Sequence, residues 1–135
     1  MQESQRQVYQ AMQPAAEILS TERTVAEALL KVKESVLQAW PINDESGVVG
    51  VVSREALEKA ESSGGGARRL LEFADPGEFP HVHADHSLTA ALDRMGAAQL
   101  DLLPVVSRAN LGKLEGIITL EGVLTLYGVA TKNSL

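Results

Sequence analysis

Cysteine is absent from the 135 residues. That absence excludes a disulfide framework, a thiolate metal site and a cysteine nucleophile, though it does not fix a compartment. Positive charge is in deficit: 12 Lys and Arg stand against 18 Asp and Glu, a net charge of −6. Nucleic-acid binding rests on neutralising phosphates, so this balance argues against a nucleic-acid partner. No apolar run approaches the ~20 residues that span a bilayer. The start, Met1 to Gln13, is polar and glutamine-rich rather than a secretory signal. Also missing are a P-loop, a dinucleotide fingerprint, a Ser-His-Asp arrangement and a carboxylate pair at acid–base spacing, so the chain reads as non-catalytic. What is present is ordinary: 44% hydrophobic and 22% charged residues, close to the globular average. A chain of this length buries roughly two thirds of its unfolded surface and needs no metal or disulfide to hold it together.

An internal repeat organises the sequence. Thr24-Val25-Ala26-Glu27-Ala28-Leu29 aligns with Ser87-Leu88-Thr89-Ala90-Ala91-Leu92 at an offset of 63. The same offset pairs Val32 with Met95, Leu37 with Leu100 and Pro41 with Pro104. After three extra residues in the second copy, Gly50-Val51-Val52-Ser53 meets Gly116-Ile117-Ile118-Thr119. Val25, Ala28, Leu29, Val32 and Val36 fall on one face of an amphipathic helix, and Leu88, Ala91, Leu92 and Met95 repeat the stripe. Thr24 with Glu27 is a capping box; Ser87 caps the second helix alone.

Each helix is followed by a predicted hairpin, Leu37–Ile42 with Val48–Val52, then Leu102–Val106 with Leu114–Ile118. A proline in the first strand of each pair predicts that this strand lies at an edge or enters the sheet there. Ser53 and Thr119 then open second helices, Arg54–Ala60 and Leu120–Tyr127. Short strands are predicted upstream, at Ala16–Leu19 and His81–His83. The fold class is therefore α/β, with two βαββα repeats. The expected division is a linker at 1–13, repeat 1 at 14–62, a Gly-rich linker at 63–76, repeat 2 at 77–131 and a tail at 132–135. Glu61 to Gly66 reads as flexible, Arg68 to Phe73 as a short docking helix, and Asp75-Pro76-Gly77 as a turn.

This doubled βαββα unit, with Leu103-Pro104-Val105-Val106 before the hairpin and Gly116-Ile117-Ile118-Thr119 entering the last helix, resembles a tandem CBS-domain pair, or Bateman module, over about residues 14–131. The resemblance implies packing about a pseudo-twofold axis, association into a homodimer through helices such as those of Leu29, Val32, Leu92 and Met95, and a cleft for ATP, ADP, AMP or another adenosyl ligand. Arg6 to Met12 is similar to the linker after the last membrane helix of bacterial CLC chloride channels and transporters, and Phe79–Leu88 and Val123–Gly128 are similar to their second CBS copy. That narrower resemblance implies a cytosolic regulatory and dimerisation module at the cytoplasmic face of the inner membrane. Its partner would be the membrane transport domain of the same polypeptide, whose gating it would bias.

In the family a Gly-h-h-Thr/Ser-x-x-Asp motif holds the nucleotide. Ser53 and Thr119 stand at its hydroxyl position, so both are candidate ligand-binding residues. The ribose aspartate falls on Ala56 and Gly122, which argues against a tight nucleotide sensor. Glu55 and Glu121 lie one residue earlier, about 100° away round the helix. The competing role for both hydroxyls is helix N-capping. His81, His83 and His86, with Asp85, carry the donor chemistry for zinc or nickel, or for a pH sensor. A partly exposed strand leading into the Ser87 cap is the plainer reading. Trp40 is expected in the core or a dimer interface, Tyr9 as an anchor for the N-terminal segment, and Arg68-Arg69 on a solvated face.

Overall fold

In the computed structural model, which describes residues 6–128, the strands and helices follow the repeat. Repeat 1 contains β1 (Leu19–Ser20), α1 (Val25–Lys31), β2 (Ala39–Asp44), β3 (Gly47–Ser53) and α2 (Arg54–Ser62). Repeat 2 contains α3 (Leu88–Ala98), β4 (Leu102–Val106), β5 (Leu114–Thr119) and α4 (Leu120–Leu126). The expected tail at 132–135, the end of repeat 2 at 129–131 and residues 1–5 of the N-terminal linker lie outside the described residues.

The two hairpins have the same register. Trp40 faces Val52 and Pro41 faces Val51; Leu103 faces Ile118 and Pro104 faces Ile117. Even the register shift recurs, between Ile42 and Asn43 and between Val105 and Val106. The edge alternative fails for β2, though β4 lies in a two-stranded sheet with β5. β2 is central in a three-stranded sheet, with β1 parallel to it and β3 antiparallel. Pro41 is tolerated because β1 begins pairing only at Ile42, so no neighbouring strand there needs the missing N–H.

The strand expected at His81–His83 shrinks to one parallel bridge, Val82 with Val105. Val82 N–H donates to the Pro104 carbonyl and its own carbonyl accepts from Val106 N–H at 3.0 Å, but pairing stops there because the chain turns at once: His86 N–H returns to the His83 carbonyl at 3.0 Å. The first-helix stripe also ends early. Val25, Ala28 and Val32 are fully buried, but α1 stops at Lys31 and Val36 is 89% exposed. Arg54, distant in sequence, bonds the carbonyls of Val32, Ser35 and Leu37 and draws the chain out of the helix.

The segments that precede the repeats are exchanged between them. Val8, ahead of repeat 1, is fully buried in the repeat 2 core with Val82, Leu88, Met95, Leu103 and Ile118. Leu70, ahead of repeat 2, is fully buried in the repeat 1 core with Leu19, Val25, Trp40, Ile42 and Leu57. The backbone bonds match: Leu88 N–H donates to the Arg6 carbonyl, and Val25 N–H to the Arg68 carbonyl, both at 2.8 Å. Gln13 extends the second sheet by exchanging two bonds with Ile117. Thus residues 6–13 of the expected linker pack against the second core, and Val8, not the 56% exposed Tyr9, is their anchor. The Gly-rich stretch expected to be flexible is docked too, since Gly66 and Arg68 carbonyls accept from the first N–H groups of α1. The repeats also meet turn to turn: Val48 N–H donates to Gly112 at 2.8 Å, and a Cβ on Gly47 (φ +123°) would stand 2.2 Å from the Gly112 oxygen.

Candidate functional site

Two clefts open between the repeats and repeat each other's chemistry. In each, the hydroxyl and glutamate at the start of one repeat's second helix face the residues that lead into the other repeat's hairpin. The larger, about 600 Å³, is lined by Ser53 and Glu55 from repeat 1 and by Leu92, Met95, Gln99 and Asp101 from repeat 2. The smaller, about 290 Å³, has Thr119 and Glu121 against Val36, Leu37 and Gln38. The 63-residue offset maps Val36-Leu37-Gln38 onto Gln99-Leu100-Asp101. That register is the sequence signal for Gln99 and Asp101; the Gly-h-h-Ser/Thr motif marks only the hydroxyl side of each cleft.

Both hydroxyls act as N-caps. Ser53 Oγ accepts from Ala56 N–H at 3.0 Å and Thr119 Oγ1 from Gly122 N–H at 2.9 Å. The first N–H of α2 goes to the Gln38 carbonyl and that of α4 to the Asp101 carbonyl. The helix starts therefore enter the clefts with much of their donor capacity committed, which weakens them as phosphate sites. Glu55 and Glu121, one residue before the family's aspartate position, do line the clefts. Gln99 ends α3 in the left-handed region (φ 57°, ψ 44°), a conformation rare for a side chain of this size. It places a strained, polar residue on the wall of the larger cleft.

The three histidines come together as a row, with ring centroids 5.1 Å apart from His81 to His83 and 5.1 Å from His83 to His86. Their Nδ1 atoms are committed: His81 to the Phe79 carbonyl, His83 to the Val106 carbonyl, both at 2.8 Å, and His86 as acceptor from His83 N–H at 3.0 Å. Asp85 does not join them but pairs with Arg108 at 2.8 Å, and that guanidinium holds its carboxyl below the usual range. Among the described residues no group of three His, Cys, Asp or Glu is placed to hold a metal ion. Trp40 is fully buried, donating to Glu17 at 3.0 Å with the Arg54 guanidinium over its ring. Arg68 and Arg69 pair with Glu72 and Glu22 on the surface.

Residues 76–128 match the CBS domain family. The whole architecture is similar to the CBS domain pair of protein MJ0100 in complex with 5′-methylthioadenosine and S-adenosyl-L-methionine, at 20% identity and TM-score 0.74, over 90% of this chain and 95% of that one. The fold is that of a tandem CBS-domain pair. It is equally similar to a putative acetoin utilization protein (AcuB) from Vibrio cholerae, at 25% identity and TM-score 0.74, over 91% of this chain and 92% of that one. The CBS pair CBSX2, in complex with AMP, matches at 25% identity and TM-score 0.72, over 90% and 96%. No curated protein is significantly similar to the chain. Within this fold, Val32 and Met95 are buried in the two cores, so they are not the dimer surface that the sequence suggested. No helix among the described residues is long and apolar enough to cross a membrane.

Proposed function

We propose that this CBS pair is a non-catalytic regulatory module whose larger inter-repeat cleft takes an adenosyl ligand, the class that includes AMP, ADP and ATP. The observation that carries this is a cleft of about 600 Å³ joining Ser53 of one repeat to Leu92, Met95 and Gln99 of the other, wide enough for a nucleoside. A ligand there touches both repeats and biases their relative arrangement, which is how binding becomes regulation. The test is thermal denaturation and calorimetry with adenosyl compounds on the wild type and Gly96→Trp. A Cβ at Gly96 has open space around it, so the indole fills the cleft without straining the core. Binding by the wild type and its loss in the variant, at unchanged melting temperature, are expected. An unshifted melting temperature with every adenosyl compound at about 1 mM, hence affinity weaker than about 4 kcal/mol, overturns the reading.

A second reading, as the homodimeric cytosolic module of a CLC-type channel or transporter, draws on one observation. The segment similar to the CLC linker is tied into repeat 2: Arg6 bonds the Leu126 carbonyl at 2.9 Å, and its guanidinium lies 5.1 Å from the Tyr127 ring centroid. Movement of anything joined ahead of Arg6 would be felt by α3 and α4. Coding sequence for apolar helices upstream is the expected finding, and a different host upstream sinks it.

A further inference from the structure

We infer that the larger cleft selects against phosphate: it favours a cationic adenosyl sulfonium over the uncharged thioether nucleoside, and either over an adenine nucleotide. This rests on the adenosyl reading above and adds the ligand's charge. Glu55, in the first turn of α2, and Asp101, just before β4, bring two carboxylates to the cleft from opposite repeats. The lining contains no Lys, Arg or His. The nearest cation in sequence, Arg54, is committed elsewhere, to the carbonyls of Val32, Ser35 and Leu37 and the face of Trp40.

The usual compensation for phosphate is spent as well. Two N–H groups of the first turn of α2, those of Arg54 and Ala56, already bond the Gln38 carbonyl and Ser53 Oγ. A polyphosphate entering here meets two like charges and few free donors. A sulfonium with its attached ammonium meets two carboxylates instead, while Leu92, Met95 and Leu120 offer an apolar wall to the base and ribose carbon atoms. Both carboxylates belong to exposed residues, so each contributes a factor of a few rather than orders of magnitude, and salt screens the effect.

The experiment is calorimetric titration of the full chain with S-adenosylmethionine, 5′-methylthioadenosine and ATP, free of divalent metal, at about 50 mM and about 300 mM salt. The same titrations use the double variant Glu55→Gln with Asp101→Asn, whose fold is checked by its melting temperature. Both side chains are surface groups, and the Asp101 carbonyl that caps α4 is retained. The wild type is expected to bind the sulfonium roughly tenfold or more tighter than ATP at low salt, with the thioether between them. The gap is expected to narrow to about threefold in the double variant and at high salt. ATP binding as tightly as the sulfonium, or a gap unchanged in the double variant, overturns the charge selection and leaves the adenosyl reading standing. Failure of every compound to bind overturns both.

Discussion

His86 shows how one side chain ties the fold to pH. Its Nδ1 must carry a lone pair to accept from His83 N–H, and its carbonyl holds Val8 N–H at 2.8 Å. Burial, then Arg94, Arg108 and His83, push its pKa below the ordinary 6.5, against the smaller opposing pull of Asp85. A depressed histidine takes up its proton more readily in the unfolded chain. Its contribution is therefore complete above about pH 6.5 and is lost as pH falls through that value toward the folded pKa. The melting temperature is expected to drop between about pH 7.5 and about pH 5.5. His86→Asn keeps an acceptor near the Nδ1 position and removes the titration, so its melting temperature should change less over the same range. An equal drop in the variant would show that other groups carry the acid sensitivity.

At the scale of elements, the sequence was most legible where one local rule acted alone. The capping box at Thr24 and Glu27 and the caps at Ser53 and Thr119 depend on close neighbours in the chain, the two hairpins on strands joined by one turn, and all are present. Misreadings arose where a distant group intervened. Val36 continues the helical stripe on paper, but Arg54 takes the carbonyls around it and the helix ends. His81 to His83 has the composition of a strand, yet His86 occupies the His83 N–H and the chain curls. The glycines at 64–66 suggest mobility, yet Gly65 N–H bonds the Ala60 carbonyl and the Gly66 carbonyl accepts from Ala26 N–H, so the stretch is tied to both helices of repeat 1. The site was half legible for the same reason. Its hydroxyl side sits in a motif, while Gln99 and Asp101 reach the cleft only through tertiary packing of the other repeat.

The exchange of leading segments makes the two repeats one cooperative unit. Each core lacks an apolar side chain that the other half supplies: Leu70 for repeat 1 and Val8 for repeat 2. Small interface clusters, Ala39 with Leu102 and Ile117, and Val48 with Phe79 and Val106, then lock the halves together. A ligand in the proposed cleft would act on a body in which repeat 1 cannot shift without tugging the segment that enters repeat 2. The consequence can be read in amide spectra. Leu70→Ala should cost about 2–4 kcal/mol through a cavity, and its shift changes should centre on α1, β2 and α2, although Leu70 precedes repeat 2 in the chain. Val8→Ala removes two methyl groups and should cost about 1–2 kcal/mol, with changes centred on α3, β4 and β5. Changes confined to the segment each residue precedes would mean that the repeats fold independently, and that the cleft between them joins two separate bodies rather than one.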